Sequence, residues 1–380
     1  MFKTFKNSFL DEIYSIRSSF YKFSLISILP ILCFLLVISI FYSGVLRDIP
    51  VAVVDNDKSK LSKKLLFNLQ SSSTIKIKYT DNSLRDAMLK VKDGSVYGVI
   101  VIPKNFMKDT LLQKQPRVTA MLNTQYILIG KILTSALTSV VMQSSMEVEY
   151  VKSLATTQNP HTTINLIAPI KMQITPFFNT YQNYFLFLVS ALLPAIWQIF
   201  IVVATIVSFG TLFKNSKNVD ILKGSYVEVK IIARLLPYTF AYTTLGIGFL
   251  FYIYQTLQWS FQGSFGITIF AIFLTVVAYQ AVALLFFSTS FDYARSLSLG
   301  AVYTAPAFAF LGVTFPIFSM NDFALLWRNM LPISHYMEIQ ISQANYGANI
   351  FLEIDKLVVI FAFWLLFIPV FYLFRKRVAK

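Results

Sequence analysis

The sequence has one cysteine, two histidines and few charges. The single cysteine, Cys33, excludes a disulfide within the chain. With only His161 and His335 beside it, a metal centre of the usual nitrogen and sulfur ligand count is not expected. Charged residues make up 13% of the chain, well below the ~25% of an ordinary soluble domain, and hydrophobic residues reach 56%. Water solubility along the whole length is therefore excluded. Catalytic signatures are missing too. No Gly-x-x-x-x-Gly-Lys-Ser/Thr occurs: the Gly-Lys pair is Gly130-Lys131, and Gln125 stands where the first glycine would be. Without a phosphate-cradling loop, nucleotide hydrolysis by this chain is not expected. Neither Gly-x-Ser-x-Gly nor His-Glu-x-x-His is present, so the chain reads as no enzyme, with no cofactor of its own.

What is present is apolar residues in blocks. Phe23–Leu46, Tyr184–Phe213, Leu235–Tyr254, Ile267–Phe287, Leu297–Met320 and Leu357–Phe374 each carry no charge. Each reaches or approaches the ~20 residues that cross a hydrocarbon core as a helix. The helix is the expected form because a single span in lipid must satisfy its own backbone hydrogen bonds. Phe23–Leu46 is too long for the core of a signal peptide and lacks an Ala-x-Ala-like cleavage site, so it reads as a retained anchor.

Basic residues in the short segments set the orientation. Residues 1–22 hold Lys3, Lys6, Arg17 and Lys22; loop 214–234 holds Lys214, Lys217, Lys223, Lys230 and Arg234. Loop 288–296 has Arg295, and the tail has Arg375, Lys376, Arg377 and Lys380. The alternate segments are poorer: 255–266 has none, and 321–356 has Arg328 and Lys356. The pattern predicts six spans with both termini cytoplasmic and segment 47–183 outside. That segment carries 17 basic and 9 acidic residues, part of a formal net charge of +15. Because it faces away from the cytoplasm, a nucleic-acid partner is not expected, and anionic lipid headgroups are the natural neighbours.

The outer segment reads as β-α-β-α-β: a strand at Val51–Val54, a helix at Ser59–Gln70, a strand at Thr74–Tyr79, a helix at Asn82–Lys92 and a strand at Val96–Ile102. Arg117–Leu122 looks like a further strand and Tyr126 to about Ala155 like a long helix. Residues 156–165 form a polar loop, and Leu166–Phe178 an extended return. Asp55 and Asp57 are the tempting carboxylate pair, but the preferred reading is a strand-to-helix turn in which Asp accepts backbone N–H groups.

No Asp or Glu falls within the six apolar runs. Ion-coupled carriers usually hold ionisable groups at that depth. The most polar groups there are Gln198, Gln280 and Thr304, readable either as helix–helix hydrogen bonds or as a substrate path. Ahead of the first run, Phe2, Phe5, Phe9, Ile13, Ile16 and Phe20 form one helical line, with Lys3, Lys6, Asp11, Glu12 and Arg17 off it. This predicts an amphipathic helix over residues 1–22, lying in the cytoplasmic interface or against the protein's own spans.

Three stretches carry a resemblance. Pro50–Ser59 (PVAVVDNDKS) is similar to a "P-x-A-V-V-D-x-D-x-S" opening, and Ala233–Tyr238 (ARLLPY) to "G-K-L-L-P-Y". Phe308–Pro316, Met320 and Leu331–Tyr336 are similar to an "S-G-x-x-F-P … M-P … L-P-x-x-x-Y" pattern, with Leu311 in place of serine and Asn321 in place of the proline after methionine. Together with the order of spans, these stretches resemble the type-2 ATP-binding cassette (ABC) permeases across essentially the whole chain. The closest likeness is to the exporter branch with a large extracytoplasmic insertion after the first helix. The loop Phe213–Gly224 departs by lacking that family's acidic run.

The resemblance implies an α-helical integral membrane protein with six transmembrane helices and an inserted extracytoplasmic α/β domain. Its parts would be an interfacial helix (1–22), a first span (23–46), the outer domain (47–183) and a membrane domain (184–380). It implies export of a hydrophobic or amphipathic substrate, with ATP and Mg handled by a separate cytoplasmic ABC ATPase. A second permease subunit, identical or different, would complete the pathway in the inner membrane. A periplasmic adaptor could dock outside where the cell has an outer membrane. Asp220, Ile221, Leu222, Tyr226 and Glu228 would contact the ATPase. A membrane receptor or scaffold with a sensing outer domain, and a secondary transporter, are the competing readings.

Overall fold

The computed structural model of the chain describes residues 1–42, 44–157, 178–179, 183–214 and 226–378. It divides into two units, one of Met1–Gly44 with Phe177–Lys380, the other of Val45–Pro176. The first unit opens with α1 (Phe2–Ser18), α2 (Phe20–Ile26) and α3 (Ile28–Phe41). Extended Ser19 separates α1 from α2, and its hydroxyl accepts the Lys22 N–H at 3.5 Å. α2 and α3 meet at Ser27 with a bend of 41°.

Helix α1 covers most of the amphipathic segment predicted over residues 1–22 but stops at Ser18, because extended Ser19 starts a new helix at Phe20, and its buried face differs as well. Of the apolar line, only Ile16 is buried; Phe2, Ile13 and Phe20 are exposed. The buried stripe is Ser8, Glu12 and Ile16, at the i, i+4 spacing of one helix face. Glu12, expected on the polar side, has no exposed surface, because partners on other helices receive its charge.

Val45–Pro176 contains β1 (Ile49–Asp55), α4 (Lys60–Gln70), β2 (Ile75–Asp81), α5 (Leu84–Lys92), β3 (Gly98–Ile102), α6 (Phe106–Leu111), β4 (Thr119–Leu122) and α7 (Ile127–Thr157). The sheet runs β2-β1-β3-β4, with the first three strands parallel and β4 antiparallel to β3. β1 is central and buried on both faces, which is why it reads as an unbroken apolar run. Its Ile49, Val51 and Val53 pack with Leu65 and Leu69 of α4 and Leu133 and Leu137 of α7. Ala52 and Val54 pack with Ala87 of α5 on the opposite face. Helix α6 has no counterpart in the sequence reading; it is six residues long, too short for a periodic signal.

Asp55 and Asp57 hold the turn that follows β1. Asp55 accepts the N–H groups of Asp57 and Lys58 at 3.0 Å and the Ser62 hydroxyl at 2.7 Å. Asp57 accepts the Met107 N–H at 3.0 Å, fixing the start of α6. Ser59 caps α4 and Ser83 caps α5. The predicted polar loop beyond residue 157 and the extended return to 177, with His161, lie outside the described residues.

The rest of the first unit is helical: α8 (Tyr184–Lys214), α9 (Val227–Phe251), α10 (Phe265–Ser290), α11 (Tyr293–Thr304), α12 (Asp322–Asn329), α13 (Pro332–Ile341), α14 (Ile354–Ala362) and α15 (Phe367–Val378). Among the described residues five helical stretches are long and apolar enough to cross a membrane: Ile127–Leu154, Tyr184–Lys214, Val227–Thr256, Phe265–Ser290 and Ile354–Val378. The bent pair α2–α3 is a sixth if taken as one span. The set differs from the sequence reading in two places. The stretch within α7, read as part of the outer segment, passes the same test of length and composition. Leu297–Met320, read as one span, is broken. α11 ends at Thr304, ahead of Pro306, which has no N–H to continue a helix; a turn at Ala307–Phe310 follows, and Gly312 takes φ +81°.

α10 supplies much of this unit's core, with Tyr279 and Phe287 fully buried. At one end of the helices Phe291 stands 5.1 Å from both Phe213 and Phe374, ring centre to ring centre. Gly210 of α8 lets the Tyr293 ring come close, since a Cβ there would lie 2.2 Å from its Cδ2. Small residues at helix contacts permit such approach.

Candidate functional site

Four helices meet at Glu12. Its carboxylate pairs with Lys22 Nζ of α2 at 3.3 Å and with the Arg234 guanidinium of α9. The Ser208 hydroxyl of α8 and the Tyr238 hydroxyl of α9 each donate to Oε1 at 2.8 Å. Lys22 also donates to Ser15 at 2.9 Å. All three charged side chains are at most 6% exposed. Burying a charge is unfavourable unless it is paired and hydrogen-bonded, and this carboxylate has both kinds of partner. Two basic side chains thus flank one carboxylate.

Glu12 thus places a carboxylate among the apolar helices although none of the six apolar runs contains one. It arrives from α1. Its charge is already matched, so it does not stand as an open site for a coupling ion. The sequence signal was present but small: Glu12 falls four residues after Ser8 and four before Ile16, in a segment whose other charges are mostly basic. Lys22 and Arg234, counted in the sequence as topology-setting charges, are partners of Glu12. Tyr242 extends the contact by donating to the Leu25 carbonyl of α2 at 3.0 Å.

The start of α9 carries two of the expected docking residues. Tyr226 precedes the helix in a left-handed conformation, φ +68°, with its side chain about half exposed. Glu228 sits in the first turn and accepts from Arg375 in the last turn of α15. Asp220, Ile221 and Leu222 lie outside the described residues. Six positions after Glu228 comes Arg234, so the ion pair at the helix start and the Glu12 cluster lie on the same end of α9.

Gln198, Gln280 and Thr304 are all buried. Gln198 donates to the Thr304 carbonyl at 3.2 Å, joining α8 to α11, and its own carbonyl oxygen has no partner among the described residues. Gln280 belongs to a different contact: it accepts from Thr239 at 2.9 Å and donates to the Leu235 carbonyl at 3.3 Å, joining α10 to α9. Two of the three are therefore brought together and the third is not.

Among the described residues no group of three or more His, Cys, Asp or Glu side chains is placed to hold a metal ion. Further polar contacts pin the segment after α11. Arg328 of α12 pairs with Glu338 of α13, and buried Glu353 pairs with Lys356 at 2.9 Å and accepts from Gln343 at 3.4 Å. The polar groups of these clusters bind one helix to another.

The family model of the ABC-2 family transporter proteins matches residues 21–373, from the start of α2 into α15. No curated protein matches the chain. Apolar helices long enough to span, polar groups that join them and a family match over nearly the whole length agree: the chain belongs to the ABC-2 transporter family, as a multi-pass membrane permease subunit that works with an ABC ATPase.

Proposed function

We propose that this permease drives export, moving a hydrophobic or amphipathic substrate out of the cytoplasm or inner membrane. The observation that carries the reading is the construction of α9. Its first turn adjoins loop 214–230 and is tied to α15 by Glu228 and Arg375; two turns further on, Arg234 and Tyr238 grip Glu12. A push on the loop would pass into α1, α8 and α15 together, as rigid-body movement of packed helices. ATP and Mg belong to the partner ATPase, since this chain has no phosphate-binding loop.

In this reading both termini and loop 214–230 face the cytoplasm. Val45–Pro176 is an inserted α/β domain on the other side, serving as an exit route or as a dock for a periplasmic adaptor. A second permease subunit completes the pathway, which Gln198, Gln280 and Thr304 would line at two separate helix contacts.

The test is at the loop. Truncating a buried anchor in such an interface commonly costs more than ~1–2 kcal/mol, whereas rim positions cost little. Leu222→Ala with Tyr226→Ala should weaken co-purification of the ATPase and abolish export while the chain still inserts. Lys217→Ala should do much less. Normal export and full ATPase retention by the double variant would remove the coupling role.

A further inference from the structure

A groove of roughly 580 Å³ opens between α1, α2 and α9, lined by Ile13, Ile16, Arg17, Phe23, Ile26 and Pro237. Its volume lies within the ~300–1,000 Å³ of small-molecule sites. Five of the six lining residues have apolar side chains. The sixth, Arg17, is exposed and has no hydrogen-bond or ion-pair partner among the described residues. Arg17 lies in the last turn of α1, and Phe23 and Ile26 belong to the bent pair that is apolar enough to span. Tyr14 and Tyr21, on the helices that form the groove, are exposed, as tyrosines are at membrane–water boundaries.

We infer that this groove binds an anionic phospholipid, one acyl chain lying against Ile13, Ile16, Phe23, Ile26 and Pro237 and the phosphate meeting Arg17. The chemistry on each side fits that one occupant. An apolar trough beside a spanning helix suits a lipid tail, and an unpaired guanidinium at its rim suits a phosphate, which it can bind with two parallel hydrogen bonds. A protein partner would leave Arg17 needing an acidic side chain, and a zwitterionic lipid would offer a phosphate already balanced by its own ammonium, whereas an anionic lipid keeps its charge for Arg17. The floor of the groove is continuous with the Glu12 cluster, because Ile16 follows Glu12 by one turn and Pro237 adjoins Tyr238. A bound lipid would therefore wedge between the elements that the cluster joins. The inference rests on α1 lying at the membrane interface, not on the direction of transport.

The experiment uses the full chain in vesicles of phosphatidylcholine with a quarter phosphatidylglycerol. Phosphatidylglycerol and phosphatidylcholine bearing the same photoreactive acyl chain are compared by peptide mapping. Phosphatidylglycerol should label residues 13–26 about fivefold more than phosphatidylcholine, the partition expected of one basic side chain at an anionic surface. Arg17→Gln should erase that preference and Arg17→Lys should keep most of it. Lys3→Gln, which removes a charge elsewhere on the exposed side of α1, should leave it unchanged. Equal labelling by the two lipids, or a preference that survives Arg17→Gln, overturns the lipid site. So does competition by inorganic phosphate, or labelling that vanishes when the ATPase is bound, which would assign the groove to the protein partner. Equal but strong labelling would still leave α1 at the interface, so failure here is distinguishable from failure of that placement.

Discussion

Glu12 and Arg234, 222 positions apart in the chain, form an ion pair in which neither side chain is more than 4% exposed. The pair joins a helix ahead of the first span to the helix that follows the longest interior loop. Its energetics are lopsided: removing one partner of a buried pair is far worse than replacing all of them with apolar groups.

Glu12→Gln should therefore be severe. It leaves Lys22 and Arg234 as buried cations without a counter-charge, which typically costs about 3–5 kcal/mol. Thermal unfolding in detergent should show a large drop. Replacing all three as Glu12→Leu, Lys22→Met and Arg234→Met should recover much of it. Unfolding of Glu12→Gln at the wild-type temperature would show that the charges are not mutually dependent.

Asp55 is assigned to the turn after β1, not to chemistry. Asp55→Ala removes the acceptor for two backbone N–H groups and the Ser62 hydroxyl. A loss of about 1–2 kcal/mol is expected, as for other side chains that cap backbone donors. Export at a temperature where the variant stays folded should be unaffected; an export defect with unchanged stability would give the carboxylate another role.

Gly210 is tested by adding a single methyl group. Gly210→Ala puts a Cβ 2.2 Å from the Tyr293 ring, so α8 and α11 must separate or the ring must turn. Overpacking of this kind costs about 1–3 kcal/mol. Tyr293→Ala in the same chain should relieve the clash, and a double variant no more stable than Gly210→Ala alone would place the strain elsewhere.

Orientation is tested with single cysteines in a Cys33→Ser background. Cysteines at Ser72 and Gln158 should react with impermeant thiol reagents applied outside, and one at Ser216 should not. Labelling of Ser216 in intact cells would reverse the topology.

The sequence carried most of the elements but not the contacts between them. β1 was legible because a strand buried on both faces must be apolar throughout, and α7 because its periodicity runs for eight turns. Leu297–Met320 misled because hydropathy does not register that Pro306 and Gly312 end and turn a helix. Glu12, Lys22 and Arg234 were legible as charges but not as a cluster. A buried ion pair between distant segments leaves no local pattern, and each cation alone looks like an ordinary topology signal. Tyr226 and Glu228 were singled out by their place in the loop, whereas the tie from Glu228 to Arg375 spans nearly the whole membrane unit and has no short-range sign.

Pro237 gives the Glu12 carboxylate one more consequence. A proline has no N–H to offer the carbonyl of Ala233 one turn back, so α9 is missing a rung of its ladder there. Arg234 lies on one side of that gap and Tyr238 on the other, and the two oxygens of Glu12 take one each. A side chain from a separate helix therefore splints the weakest point of α9. Removing that carboxylate would leave α9 free to bend about Pro237, between its loop end and its far end.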